Sequence, residues 1–152
     1  MNMKLVVLCL LAVCCSSLAN TSTNRSDESL KMRKLHEILK QLKSVKNSLQ
    51  HNGQMLNTPP QNIEDCCCLS ALQCFRANLQ VQFNTTERTQ STNKLYRSLT
   101  SSITERGLDF CKSGNVKPTC QDCDSHPKEN VKEFFKRLES LIQRAITRLS
   151  MN

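Results

Sequence analysis

The sequence VKEFFKRLESLIQRAITRL, residues 131–149, gives the clearest indication of the fold. Its apolar residues recur at alternating intervals of four and three: Val131, Phe135, Leu138, Ile142, Ala145 and Leu149. This spacing places them along one side of an α-helix, and most of the positions between them hold polar or charged residues. Pro127 stands just upstream, where the first turn of a helix tolerates proline. The stretch therefore predicts an amphipathic helix whose apolar stripe needs other helices to cover it.

A segment near the amino terminus, residues 29–50, has the same periodicity. Its apolar seam consists of Leu35, Ile38, Leu42, Val45 and Leu49. Ser26 or Asp27 can cap the start of this helix, and we expect it to end near Gly53, which can adopt the left-handed conformation common at helix ends. The sequence Thr58-Pro59-Pro60 then excludes helix. Residues 51–62 are therefore predicted to be a connection.

Two further segments complete the set of helices. Residues 64–83 carry apolar side chains at intervals of three and four, and residues 89–106 repeat the pattern more weakly. Gly107 is a plausible stop for the third helix. Residues 107–126 contain Gly114, Pro118 and three cysteines, and they are predicted to form a long tethered loop.

The composition favours a helical protein. The 152 residues include only 3 Gly and 4 Pro, too few for a β fold with many tight turns, and we find no strand signal. No apolar run reaches the roughly 18 to 20 residues that span a bilayer. We therefore predict an all-α, short-chain four-helix bundle. The first and last connections are long enough to cross over, so up-up-down-down topology is allowed, although both could also fold back.

The first nineteen residues have the features of a secretory signal peptide. Lys4 is followed by an apolar core at residues 5–13, and Ser17 and Ala19 are small residues at the cleavage positions. We predict cleavage after Ala19, which leaves residues 20–152 as one secreted domain and lowers the net charge from +8 to +7. The alternative for this segment is a short buried helix. Three sequons are candidate glycosylation sites, at Asn20, Asn24 and Asn84.

The ten cysteines of the chain suit an oxidising compartment. Cys67 and Cys74 are two helical turns apart and share one face of the second helix. Cys120 and Cys123 can lie side by side in the loop before the last helix, so two parallel bridges between face and loop are geometrically simple. A zinc site at the Cys-x-x-Cys motif is the competing interpretation, and oxidising export disfavours it.

Three more cysteines fall outside these two bridges. Either Cys66 or Cys68 can pair with Cys111, which leaves a seventh cysteine free or intermolecular. A redox-active Cys-x-x-Cys is not favoured, because no βαβ pattern precedes it.

No motif for catalysis is present. The three histidines, His36, His51 and His126, are scattered, and no paired carboxylates, phosphate-binding loop or serine nucleophile accompany them. We predict that the protein is not an enzyme and needs no metal or cofactor. One Tyr, no Trp and no binding motif argue against a nucleic-acid partner. A cationic, membrane-active helical protein is an alternative, because the first and last helices are basic and amphipathic.

Several sequence blocks carry a family resemblance. They are MRKL at residues 32–35, QLK at 41–43, the second-helix stretch 67–75, TCQDCDS at 119–125, KEF at 132–134 and SLIQ at 140–143. In this order they resemble the short-chain helical cytokines of the interleukin-2/15/21 group, in particular its interleukin-21 branch. The resemblance implies up-up-down-down topology and the bridges Cys67–Cys120 and Cys74–Cys123. Residues 84–117 match the pattern poorly.

The resemblance also implies a function. Such cytokines are secreted and bring together a private receptor chain and the shared common gamma chain, whose associated kinases then activate each other in immune cells. We expect a monomer of this kind, with no stable insertion into membranes; an interleukin-15/2-like cytokine of the same group is the alternative.

The implied contact residues lie on the first and last helices. For the private receptor they are Leu30, Lys31, Arg33, Lys34, Glu37 and Gln41, and for the common gamma chain they are Gln143 and Ile146. From spacing alone, the first set is an ordinary solvated face, with Gln41 close to its outer side, and Ile146 is a core residue. The first helix carries six cations against Glu37 alone, and such a surface would attract an acidic receptor.

Overall fold

The computed structural model describes residues 3–49, 52–85, 89–111 and 119–152. The chain divides into two compact units, one ending at Leu30 and one formed by Lys31–Asn152. The helices are α1 (Met3–Ser48), α2 (Cys68–Thr85), α3 (Gln90–Leu99), α4 (Ser102–Leu108) and α5 (Val131–Ser150), and the strands are β1 (Met55–Asn57) and β2 (Lys128–Asn130). The predicted helical, disulfide-stapled fold is confirmed. None of the helices in the described part of the chain has both the length and the apolar character of a membrane span.

Helix α1 differs from the predicted first helix at both ends. It begins at Met3, so neither Ser26 nor Asp27 caps it. Residues 20–30 contain no Gly or Pro that would interrupt a helix. The helix ends at Ser48, and Gly53 adopts its positive φ of 71° in the following connection. Gly53 therefore has the expected left-handed backbone conformation, but it lies beyond the end of the helix.

Helix α2 agrees with the predicted second helix. A short 3₁₀ turn, Asp65–Cys67, leads directly into it. Its inward face consists of Leu72, Phe75, Leu79 and Phe83, all of which are buried.

The predicted third helix is wrong in one respect, because two helices occupy its place. Helix α3 ends at Leu99 with Thr100 as its C-cap, and the extended backbone of Ser101 (ψ 137°) separates it from α4. The buried hydroxyl of Thr104 donates a 2.6 Å hydrogen bond to the carbonyl oxygen of Ser98 across the break. Gly107 does not stop a helix. It lies inside α4 without a positive φ, packed close to Leu35.

The two long connections meet as an antiparallel strand pair, for which the sequence has no signal. The register pairs Met55 with Asn130 and Asn57 with Lys128, and the Thr58 amide extends the ladder by donating to the Pro127 carbonyl at 2.9 Å. Each strand has only three residues, too short for a pattern of alternation to appear in the sequence. The described strands of the two connections therefore run in opposite directions, as in the crossovers of an up-up-down-down bundle.

Helix α5 begins later than the proline would suggest. Pro127 precedes strand β2, and Asn130 caps the helix by accepting a 2.9 Å hydrogen bond from the Glu133 amide through its Oδ1. The buried stripe is also wider than predicted, because Phe134 and Leu141 join it. A helix that packs against neighbours on both sides buries a wider face than a seam with only two apolar positions per heptad.

The core of the unit Lys31–Asn152 draws on every helix. Leu35, Ile38, Leu42 and Val45 of α1 are fully buried, as the seam predicts. The ring of Phe75 meets that of Phe134 edge-on, with centroids 5.2 Å apart. Burying each such side chain stabilises the fold by about 1.5 to 3 kcal/mol, so these contacts position the outer helix faces.

Candidate receptor-binding faces

Three disulfide bridges tie the start of α2 to the chain between α4 and α5. They are Cys66–Cys111, Cys67–Cys120 and Cys74–Cys123, with Cα atoms 4.3, 5.5 and 5.2 Å apart. The last two are the pairs that the family resemblance implies. The first uses one of the two partners that spacing left open for Cys111, and the thiol of Cys68 is left free and buried.

The zinc interpretation is wrong for this structure. Cys120 and Cys123 are each bonded to a cysteine of the α2 region, so neither offers a thiolate to a metal. In the described ranges, no group of three or more His, Cys, Asp or Glu side chains could hold a metal ion.

An ion cluster lies beside the Cys66–Cys111 bridge. Arg144 and Arg148 of α5 both bind the carboxylate of Asp65, the former at 2.6 Å. The Arg148 guanidinium also lies 5.7 Å from the ring centre of Phe110. The cluster joins the start of α2 to the end of α5, and the sequence carried no signal for it, because the partners are about 80 residues apart.

One flank of α1 faces α3. Lys34 donates to Ser98 Oγ at 3.2 Å and pairs with Glu37 at 3.3 Å, and Gln41 Nε2 donates to Glu37 Oε1 at 2.8 Å. Gln41 is only 8% exposed, so the expectation that it lies near the outer side is wrong. Gln41 lies two helical turns from Lys34 on the same side of α1, so its burial shows that this flank is covered and not fully solvated. Lys34, Glu37 and Gln41 thus form one connected row.

The outer side of α1 is basic. Arg33, Lys40 and Lys43 are exposed, and Lys31 is half-buried. In the amino-terminal unit, Leu30 is 45% exposed. The structure therefore places the proposed private-receptor residues in two settings: an exposed side that includes Arg33, and the partly covered row of Lys34, Glu37 and Gln41.

The other flank of α1 faces α5. Lys46 Nζ and Glu139 Oε2 are 2.5 Å apart and link the two helices. On α5, Gln143 is exposed, whereas Ile146 is half-buried and packs against the core. Ile146 thus combines the core position that its spacing predicts with an accessible edge.

The charged residues at the start of α5 form ordinary surface pairs. Glu133 lies 2.9 Å from Arg137, which confirms the expected i, i+4 pair, and Glu129 lies 3.2 Å from the same guanidinium. The hydrogen bond from Arg137 lowers the pKa of Glu133 below its ordinary value. These groups are satisfied within the protein and have no arrangement typical of acid–base catalysis.

The histidines do not converge on a common site. His36 is exposed on α1, His126 is buried near the second strand, and His51 lies outside the described residues. Burial lowers the pKa of His126 and so disfavours the protonated form of its imidazole. Two sequon residues, Asn24 and Asn84, are exposed, while the side chain of Asn20 lies outside the description.

A comparison with known families agrees with this architecture. A family model described as Interleukin 15 matches residues 6–147, nearly the whole chain. Cytokines of this family are secreted signalling proteins rather than enzymes, and their partners are cytokine receptors. The chain therefore belongs to the interleukin-15 family of cytokines.

Proposed function

We propose that the protein is an interleukin-21-like cytokine that bridges an interleukin-21-type private receptor and the common gamma chain, and so activates receptor-associated kinases in immune cells. The supporting observation is that the two residue sets inferred from the family pattern occupy different helices. The α1 set includes the exposed Arg33, and the α5 set includes the exposed Gln143. Two receptor ectodomains could then bind at the same time.

The private-receptor face would consist of Leu30, Lys31, Arg33, Lys34, Glu37 and Gln41. Arg33 offers an exposed guanidinium suited to bidentate contact with a carboxylate. Lys34 and Glu37 are held in place by Ser98 and Gln41, so they would bind with little loss of side-chain freedom. Gln41 would act by positioning Glu37 rather than by broad contact, because it is buried.

The common-gamma-chain face would consist of Gln143 and Ile146. Gln143 supplies an exposed amide, and Ile146 supplies the accessible edge of an apolar side chain next to it. An apolar contact surrounded by polar groups is a common arrangement for an energetically important interface residue.

Export is part of the same proposal. Residues 1–19 would be removed as a signal peptide, and the three bridges would form in the oxidising secretory pathway. Glycans at Asn20, Asn24 and Asn84 would follow from the same route.

A second candidate is an interleukin-15/2-like cytokine that uses a different private receptor. The description of the matching family model favours it. The two candidates share the common gamma chain and differ in the α1 partner, so the private receptor decides between them.

The test is binding of the secreted, oxidised protein to soluble ectodomains of the common gamma chain and of the interleukin-21-type and interleukin-15-type private receptors. We expect Arg33→Ala to weaken binding to the interleukin-21-type receptor about tenfold or more. The double variant Gln143→Ala/Ile146→Ala should keep that binding and lose gamma-chain recruitment and kinase activation.

Thr147→Ala is the matched control, because Thr147 is exposed on α5 one turn beyond Gln143. It should leave both interactions unchanged. Binding to neither private receptor would refute the cytokine proposal, and binding only to the interleukin-15-type receptor would establish the second candidate.

A further inference from the structure

The outer side of α1 carries a regular row of basic side chains. Arg33, His36, Lys40 and Lys43 are all exposed and follow one another at intervals of three, four and three residues. At 100° per residue, this spacing confines them to an arc of about 80°, opposite the buried apolar seam. The row is about 15 Å long. We refer to these four residues as the outer stripe.

None of the described residues neutralises the charge of the outer stripe. Glu37 is the one acidic residue among residues 31–48, and it is occupied by Lys34 and Gln41. Lys46 is paired with Glu139 on the other flank. Within the described ranges, Arg33, Lys40 and Lys43 form no ion pair. The family interaction proposed above does not use Lys40 or Lys43.

The form of the stripe favours a linear, hydrophilic polyanion. Membrane binding by an amphipathic helix needs an apolar face to insert, but the seam of Leu35, Ile38, Leu42 and Val45 is fully buried. Between Lys31 and Ser48 no large apolar side chain is exposed. A sulfated polysaccharide carries fixed negative charge along an extended chain, and it can follow a straight row of long cationic side chains without apolar contact.

We propose that the outer stripe binds a sulfated glycosaminoglycan of the cell surface or extracellular matrix. Arg33, Lys40 and Lys43 contact successive sulfate groups, and His36 lies between them. Because Arg33 also belongs to the proposed private-receptor face, a bound polysaccharide competes with that receptor for one end of the stripe. Lys40 and Lys43 belong to the outer stripe but not to the proposed private-receptor face. Substituting these two lysines therefore tests polysaccharide binding separately from receptor binding.

The experiment measures binding of the secreted, oxidised protein to immobilised heparin across a salt series. Lys40→Gln/Lys43→Gln is expected to weaken binding about 10- to 30-fold at about 0.15 M salt and to reduce its salt dependence. The control Lys128→Gln/Lys132→Gln removes the same charge from two exposed lysines in β2 and α5. It should change the affinity by less than about threefold, since the long-range effect of net charge is screened. Desulfated heparin should not bind.

Three outcomes would overturn the inference. They are absence of heparin binding by the unaltered protein at about 0.15 M salt, an equal loss in both double variants, and equally tight binding to phosphatidylserine vesicles. The last result would identify an anionic membrane as the partner. The Lys40→Gln/Lys43→Gln variant should retain private-receptor binding, so failure of the receptor proposal is distinguishable from failure of this one.

Discussion

Gly107 shows how one residue serves packing rather than chain reversal. It lies in α4 with an ordinary helical backbone, and a Cβ built on it would lie 3.4 Å from Leu35 Cδ1. That distance is a normal van der Waals contact. The glycine therefore allows close approach to the α1 seam but is not required by its backbone conformation.

The Gly107→Ala variant is expected to be more stable than the unaltered protein by up to about 1 kcal/mol. Alanine restricts the unfolded chain and favours the helix, and its methyl group fits beside Leu35. Gly107→Val should instead destabilise the protein by about 1 to 3 kcal/mol, because its branches would displace Leu35. Urea unfolding measures both changes. Destabilisation by alanine as large as that by valine would show that the contact cannot accommodate any side chain.

His126 should make stability depend on pH. It is 8% exposed, and burial lowers its pKa in the folded protein. The unfolded chain therefore binds a proton more readily, so the free energy of unfolding falls as the pH drops below about 6.5, the ordinary histidine value. His126→Gln should reduce this loss between about pH 7.5 and pH 5.

Denaturant midpoints at the two pH values measure the effect of His126. His36→Gln is the control, since His36 is exposed on α1. The His126→Gln variant could have the denaturant midpoint of the unaltered protein near neutral pH and the same dependence of that midpoint on pH. Groups other than His126 would then cause the loss of stability in acid.

Among the secondary-structure elements, the periodicity of the apolar residues predicted the helices that contact the core repeatedly along their length. The seam of Leu35, Ile38 and Leu42 is buried as its spacing requires. The break between α3 and α4 was not predictable, because it depends on the buried hydrogen bond from Thr104 to Ser98. The strands exist only because two distant three-residue segments pair. The strand pair depends on partners far along the chain and the helix break on a buried side-chain hydrogen bond, and the spacing of apolar residues contains neither.

The same limit applies to the candidate faces. Gln41 is buried on the flank of α1 where Lys34 contacts Ser98 of α3, and nothing in the sequence of α1 identifies that flank as covered. The choice of Cys66 over Cys68 as the partner of Cys111 also depends on the turn before α2. By contrast, the exposed Arg33 and Gln143 lie where their positions relative to the seams predict.

The Cys66–Cys111 bridge should stabilise the protein less than its sequence separation of 45 suggests. A loop of that length alone corresponds to about 4 kcal/mol. The Cys67–Cys120 bridge already holds the chain close to Cys66 and Cys111. The additional bridge therefore closes only the short path from Cys66 through Cys67–Cys120 to Cys111, an effective loop of about 10 residues. We expect Cys66→Ser/Cys111→Ser to lower the free energy of unfolding by about 2 to 3 kcal/mol.

Denaturant unfolding of the oxidised variant measures this loss. Cys74→Ser/Cys123→Ser is the matched comparison, since that bridge also closes a short effective loop beside Cys67–Cys120. We expect the two losses to be similar and additive. A loss of about 4 kcal/mol or more for Cys66→Ser/Cys111→Ser would contradict the effective-loop argument.

In the whole unit Lys31–Asn152, covalent constraint and proposed recognition are separated. The bridges and the Asp65 cluster hold α2, the loop before α5 and α5 itself. Residues 31–48 of α1 contain no cysteine, and their buried seam and the contacts of Lys34 and Lys46 hold them in place. The face proposed to meet the private receptor is therefore positioned by packing, and core substitutions beneath it should affect binding as well as stability.

The number of free thiols tests export and folding of the whole molecule together. Removal of residues 1–19 leaves seven cysteines, of which six form bridges and Cys68 alone remains reduced. Cys68 is fully buried, and burial raises the pKa of its thiol, so the reactive thiolate is disfavoured. We expect one thiol per secreted molecule, which iodoacetamide modifies rapidly only after unfolding. Cys68→Ala, the control, should show no thiol.

Peptide mapping of the alkylated protein should place that single thiol at Cys68, in a chain that begins at Asn20. A chain that keeps its first nineteen residues would retain three further cysteines, Cys9, Cys14 and Cys15, and could show up to four thiols. Finding those residues in the secreted protein would refute cleavage after Ala19. Rapid modification of Cys68 in the folded protein would instead refute its burial, because a thiol enclosed by the core cannot reach the reagent without local unfolding.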